Sequence, residues 1–142
     1  MRLENAETNK LREVARAHNL RFVILHGSHT KGAVHAGSDV DVAIVGRSPI
    51  SFDEYLKLYG KFAEVFGDSR ECELDLKTLH GVDPLFRYQV VRDGTLLFGD
   101  PTDYEEFKAF AYRDYMDSYD LRELEAVLLE KSIHGITERY AR

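Results

Sequence analysis

The stretch "LHGSHTKGAVHAGSDVDVAIVG", residues Leu25–Gly46, decides the fold. It opens inside a short apolar run, "RFVILHG" (residues 21–27), whose length and composition predict a buried strand that ends in a turn at Gly27-Ser28. It closes on an alternating run, "DVDVAIV" (residues 39–45), with Val40, Val42 and Ile44 on one face and Asp39, Asp41 and Ala43 on the other. Asp is disfavoured in strands, so two carboxylates sharing a sheet face set local preference against the fold. Conflicts of that kind are expected where a protein does its chemistry.

Outward from this stretch the chain alternates helices and strands. Leu11, Val14, Ala15 and His18 recur at helical spacing, predicting an amphipathic helix over roughly residues 4–19. After Gly27-Ser28 a helix is expected before the aspartate strand. Ser51 and Glu54 have capping-box spacing, with Ile50 and Tyr55 placed as a hydrophobic staple. The apolar stripe that follows, Phe52, Tyr55, Leu56, Tyr59, Phe62, Ala63 and Phe66, is read as core and ends at Gly67. "ECELDLKTL" is a third strand, with Cys72, Leu74 and Leu76 facing one way and Glu73 and Asp75 the other. Asp83-Pro84 starts a short helix that Gly94 ends, and "TLLFG" reads as an edge strand. Asp100-Pro101 starts a C-terminal helical region in which Tyr104, Phe107, Phe110, Ala111 and Tyr115 share a face, then Leu121, Leu124, Val127 and Leu128. A break is expected near Ser118 to Asp120, where Asp120 and Glu123 have capping-box spacing, and fraying is expected after Gly135. The sum is an α/β (α+β) chain, a sheet of about four strands covered by helices, read as one domain over residues 1–142 with a helical region from about residue 101.

Composition narrows the function classes. The 142 residues are 44% apolar and 31% charged, ordinary for a soluble globular chain. No run is long and apolar enough to span a membrane and "MRLENAETNK" has no hydrophobic signal region, so a cytoplasmic location is expected. A net charge of −6 without a Lys/Arg cluster disfavours a grip on DNA or RNA. The single cysteine, Cys72, has no internal disulfide partner and reads as a small apolar packing residue. His26, His29 and His35 follow no common zinc spacing and read as solvated or supporting residues.

Acids converging from adjacent strands repel unless a cation lies among them. An all-oxygen donor set favours Mg²⁺ or Mn²⁺ over zinc. A strand turning through Gly27-Ser28 into a helix offers backbone N–H groups and a hydroxyl to phosphate oxygens, with Lys31 and Gly32 one turn on. Metal beside a phosphate cradle points to a nucleoside triphosphate.

The combined spacing, Gly27-Ser28, ten residues, Asp39-x-Asp41, and Asp75 on a later strand, resembles the G-S-x10-D-x-D signature of the DNA polymerase β-like nucleotidyltransferase superfamily. "HGSHTKGAVHAGSDVDVAIV" is closer still to the minimal nucleotidyltransferase (MNT) group, in which G-S-x-x-R/K-G and S-D-x-D are usual. The resemblance is motif-specific over residues 22–46 and rests on element order over 50–130, and Lys31 stands where Arg is common. It implies a nucleotidyltransferase fold with a mixed sheet. It implies that Asp39 and Asp41 bind metal, and that Asp75 completes the second metal site or helps deprotonate the acceptor. Glu73, on the same face, is the other candidate for that third acid. Gly27, Ser28, Lys31 and Ser38 would hold nucleotide phosphates. Two Mg²⁺ ions and ATP as substrate follow from the same likeness.

Free-standing MNT proteins resemble the antitoxin half of toxin–antitoxin modules whose partner is a HEPN-domain RNase. The resemblance therefore implies a protein adenylyltransferase that places AMP on a toxin Tyr hydroxyl. Tyr112, Tyr115 and Tyr119 either form a protein-binding surface or pack their helix on the sheet. Two alternatives stand beside this reading: a small-molecule, aminoglycoside-type nucleotidyltransferase, and a non-catalytic antitoxin that masks its partner by binding.

Overall fold

The computed structural model describes residues 3–27, 39–70 and 72–140. Its elements are α1 (Asn5–Ala17), β1 (Leu20–His26), β2 (Val40–Gly46), α2 (Phe52–Phe66), β3 (Leu74–Thr78), α3 (Pro84–Asp93), β4 (Thr95–Phe98) and α4 (Pro101–Tyr140). The helix expected after Gly27-Ser28 falls outside the described residues.

The strands form one mixed sheet in the order β3-β2-β1-β4. β1 runs antiparallel to both β2 and β4, and β2 runs parallel to β3. The expected edge strand is β4. The alternation of β2 sorts the core into two layers. Val40, Val42 and Ile44 join Leu74, Leu76, Val23 and Leu25 beneath α1 and α2, which contribute Leu11, Ala15, Leu58 and Phe62. On the other face Ala43 and Val45 join Phe22 and Ile24 beneath α3 and α4, which contribute Val90, Val91, Tyr104, Phe107 and Ala111.

Local signals end these elements as their chemistry requires. Asn19 takes a left-handed backbone (φ 55°) just past α1, so the chain reverses into β1. The Ser51 side chain accepts the Glu54 N–H at 3.2 Å at the start of α2, and the Asp83 carboxylate accepts the Leu85 N–H at 2.7 Å at the start of α3.

Three expectations are corrected. The apolar stripe of α2 is rotated from its predicted position: Leu58, Phe62, Val65 and Phe66 are buried, whereas Phe52 and Leu56 are exposed. Residues 52 and 56 lie on the flank of the helix that meets neither α1 nor β3. The C-terminal helix is not broken near Ser118, because the Ser118 hydroxyl donates to the Tyr115 carbonyl at 2.9 Å and so bonds within the helix instead of capping a new one. It also continues through Gly135 to Tyr140. Contacts hold α4 as far as Arg122, which lies 3.6 Å from Asp83, whereas Leu121, Leu124, Val127 and Leu128 are exposed.

Tyr115 stacks on Tyr88 of α3, with ring centroids 5.3 Å apart, while Tyr112 and Tyr119 remain about half exposed. The predicted trio therefore divides between packing and surface. Cys72 is partly buried against the core, as its apolar reading requires. Among the described residues no helix is long and apolar enough to cross a membrane.

Candidate active site

On the α3/α4 face the apolar layer stops halfway along the sheet. Continuing from Ala43 along β2 brings Asp41, and continuing from Ile24 along β1 brings His26. The register places His26 opposite Asp41, and Asp41 opposite Asp75 of β3. A His–Asp–Asp row thus crosses three strands, and in the antiparallel β1–β2 pair directly opposed Cβ atoms lie about 4.5–5.5 Å apart. Asp41 and Asp75 are within hydrogen-bonding reach of one another. Asp39 lies one residue before β2 and is exposed. Glu73 precedes β3, is exposed, and receives the Val40 N–H on its backbone carbonyl. The acid opposite Asp41 is Asp75.

Gly27 crosses directly over this row. Its backbone is left-handed (φ 78°), and a Cβ there would overlap Asp41 Oδ2 and approach its Cγ to 3.1 Å. Glycine is required by both conformation and space, and the strand end is held tight against the carboxylate.

The electrostatics follow from this crowding. Partial burial, then the charge and hydrogen bond of Asp75, push the Asp41 carboxyl above the ordinary aspartate range. Burial, reinforced by the Lys77 charge, pushes His26 down and favours the neutral imidazole. Its Nε2 is buried with no hydrogen-bond partner among the described residues. Lys77 stands two residues beyond Asp75 on the same face, with Nζ 3.4 Å from Asp75 Oδ2 and 5.2 Å from the centre of the Phe86 ring. Phe86 also meets His26 edge to face, with centroids 6.2 Å apart. Phe86 of α3 therefore packs against both His26 and Lys77 beside the row.

The structure therefore brings Asp41 and Asp75 together, with Gly27 above them, while Asp39, exposed just before β2, reaches Asp41 only through its charge. Ser28, Lys31, Ser38, His29 and His35 lie outside the described residues. Among the described residues no group of three or more ligating side chains is gathered closely enough to form a ready-made metal site. The Asp41–Asp75 pair nevertheless fits a hard divalent cation. Its donors are carboxylate oxygens, and the repulsion that raises Asp41 is relieved by a positive charge between them.

Two members of the site escaped sequence reasoning. Lys77 was accessible by counting two residues on from Asp75. His26 was not, because its place beside Asp41 depends on an antiparallel register that the sequence does not display. Of the two readings given for His26, solvated or supporting, its burial opposite Asp41 fits the supporting one.

Compared with protein-family models, residues 9–103 match the family described as polymerase beta, nucleotidyltransferase. The chain belongs to that family. The expected nucleotidyltransferase fold, a mixed sheet of four strands flanked by helices, is the fold observed. Protein adenylyltransferase MntA of Aphanizomenon flos-aquae is 25% identical over 138 residues, covering 92% of this chain and 89% of that protein. A crystal structure of a toxin–antitoxin with AMP-PNP superimposes with a TM-score of 0.68 at 23% identity, covering 89% of this chain and 98% of the other. An MNT antitoxin in complex with a tri-AMPylated Shewanella oneidensis HEPN toxin superimposes with a TM-score of 0.63 at 21% identity, covering 90% of this chain and 97% of the other.

Proposed function

We propose that this nucleotidyltransferase is a protein adenylyltransferase that moves AMP from ATP onto a Tyr hydroxyl of a HEPN-domain toxin and acts as its antitoxin. The observation that carries the reading is the Asp41–Asp75 pair beneath Gly27, a carboxylate site that a phosphate-bound divalent cation would complete. The relative named protein adenylyltransferase MntA, and the superposable antitoxin bound to a tri-AMPylated HEPN toxin, support the choice of acceptor. The toxin–antitoxin with AMP-PNP supports ATP as donor.

Asp39, Asp41 and Asp75 would hold Mg²⁺, two ions in all, and Gly27, Ser28, Lys31 and Ser38 would line the phosphates. Bound there, the ions supply charge for the acceptor oxygen and the departing pyrophosphate. The chain's own residues set the stage. Gly27 brings backbone within reach of Asp41, Phe86 packs on His26 and Lys77, and neutral His26 flanks the acids without adding charge. The bond from the phenol oxygen to the α-phosphorus forms as the bond to pyrophosphate breaks, and the phenol proton leaves to a carboxylate of the site, Asp75 being the one placed to take it.

Intact-mass measurement of a HEPN-domain partner incubated with this protein, Mg²⁺ and ATP tests the proposal, with Asp39→Asn/Asp41→Asn as control. AMP-sized increments that vanish in the control are expected. A complex that forms and neutralises the toxin without any increment would replace catalysis by masking.

A further inference from the structure

At the opposite end of the sheet from the acids, a cavity of about 440 Å³ is lined by Arg12 and Arg16 of α1, Arg21 at the start of β1 and Arg47 just after β2. Its apolar wall is Leu97 and Phe98 of β4, together with Pro101 at the start of α4. In a chain of net charge −6, the convergence of guanidinium groups from three elements is the reverse of the overall balance.

Two acids, Asp100 and Asp103, also line the cavity and offset part of this charge, against four arginines. The Asp103 carboxylate is held by Arg21 in a bidentate pair, with contacts of 2.6 and 2.9 Å. Asp100 accepts the Asp103 N–H at 2.9 Å and so caps α4. Both carboxylates thus have partners within the fold. The guanidinium groups of Arg12, Arg16 and Arg47 form no ion pair within 4.0 Å of a described residue, although the Arg47 charge also acts on Asp103. The N-terminus of α4 also opens toward the cavity through Pro101, adding its positive end to the same space.

We infer that this cavity is a second ligand site, which takes a phosphate-bearing molecule of mononucleotide size, with phosphates on Arg12, Arg16 and Arg47 and a base against Leu97 and Phe98. Planar guanidinium groups bind phosphate oxygens two at a time, and the apolar wall gives a flat ring a surface that a bare inorganic ion does not need. The site shares no residue with the acids around Asp41 and needs no metal. Free nucleotide and the 5′-terminal nucleotide of an RNA strand offer the same chemistry.

Calorimetric titration of ADP in EDTA, using Asp39→Asn/Asp41→Asn protein at low salt, tests the inference apart from transfer at the acid site. Saturable binding, competed by pyrophosphate and weakened at least tenfold by adding Arg12→Gln, Arg16→Gln and Arg47→Gln, is expected. A 5′-phosphorylated oligoribonucleotide titrated in parallel separates the sources: tighter binding than ADP assigns the site to an RNA end, and weaker binding to a free nucleotide. The single Arg47→Gln variant, at an exposed position after β2, gives the same comparison should the triple variant fold poorly. ADP binding that is absent at millimolar concentration, or that is unchanged in these arginine variants, overturns the inference.

Discussion

The two faces of the sheet are built to different ends by the same strands. Under α1 and α2 the face is apolar along its whole length, from Val23 and Leu25 through Val40, Val42 and Ile44 to Leu74 and Leu76. Under α3 and α4 the apolar layer covers half the face and then gives way to His26, Asp41 and Asp75. The first face supplies cohesion that the second relinquishes, since crowded carboxylates on a half-buried face oppose folding. A substitution that removes function and one that removes stability should therefore fall on opposite sides of one strand.

The largest expected effect is on chemistry. Asp39→Asn/Asp41→Asn should lower AMP transfer by about a thousandfold or more, the scale of losing metal-borne charge stabilisation, while the circular dichroism spectrum stays that of the parent. Transfer surviving within tenfold of the parent would remove the acids from the mechanism. On the opposite face, Phe62→Ala should cost about 3–5 kcal/mol in chemical denaturation, because Phe62 is fully inaccessible and leaves a cavity. At concentrations where that variant remains folded, its transfer rate should match the parent. Gly27→Ala joins the two properties. Left-handed backbone costs about 1–2 kcal/mol for a residue with a Cβ, and overlap with Asp41 should displace the carboxylate. Loss of stability with full activity retained would show that Gly27 does not position Asp41.

The smallest expected effect has the opposite sign for stability. Without metal, Asp41→Asn should raise the melting midpoint although it abolishes transfer. The folded-state carboxyl is raised by burial and by Asp75, so its penalty is absent at pH values below the ordinary aspartate range. It grows as the pH rises through the raised value and is complete above it. The gain from Asp41→Asn should therefore appear at neutral pH and fade in acid. Mg²⁺ should raise the parent's midpoint and leave the variant's nearly unchanged. Thermal melts at two pH values, each with Mg²⁺ or EDTA, measure all of this.

What the sequence displayed was what adjacent residues decide. The Ser51 cap, the Asp83-Pro84 and Asp100-Pro101 starts, and the alternation of Asp41 with Val40 and Val42 all act within a few positions, and they are found where expected. Phe52 and Leu56 were misplaced because helical periodicity gives an apolar stripe but not the width that neighbours cover. The unbroken α4 was missed because Ser118 can cap or bond backwards, and only the fold chooses. His26 beside Asp41, and the four arginines of the second cavity, come from residues far apart in the chain. Their meeting depends on strand register and on the end of the sheet at which each element finishes.

Tyr55 and Tyr59 have a further bearing on how a partner can approach. The Tyr55 hydroxyl donates to the Leu76 carbonyl at 2.6 Å, and the Tyr59 hydroxyl donates to Asp68 at 2.8 Å, with the Leu74 carbonyl 3.2 Å away, along the outer side of β3, which is an edge of the sheet. Those carbonyls would otherwise be the template for an incoming extended peptide, the commonest way for one chain to annex another's sheet. With the Leu76 carbonyl taken by Tyr55 and the Leu74 N–H by Asp68, β-augmentation on the side of the acids is disfavoured. That favours a macromolecular acceptor whose hydroxyl comes from above the sheet face, on a projecting turn or helix, over one zipped alongside Asp75.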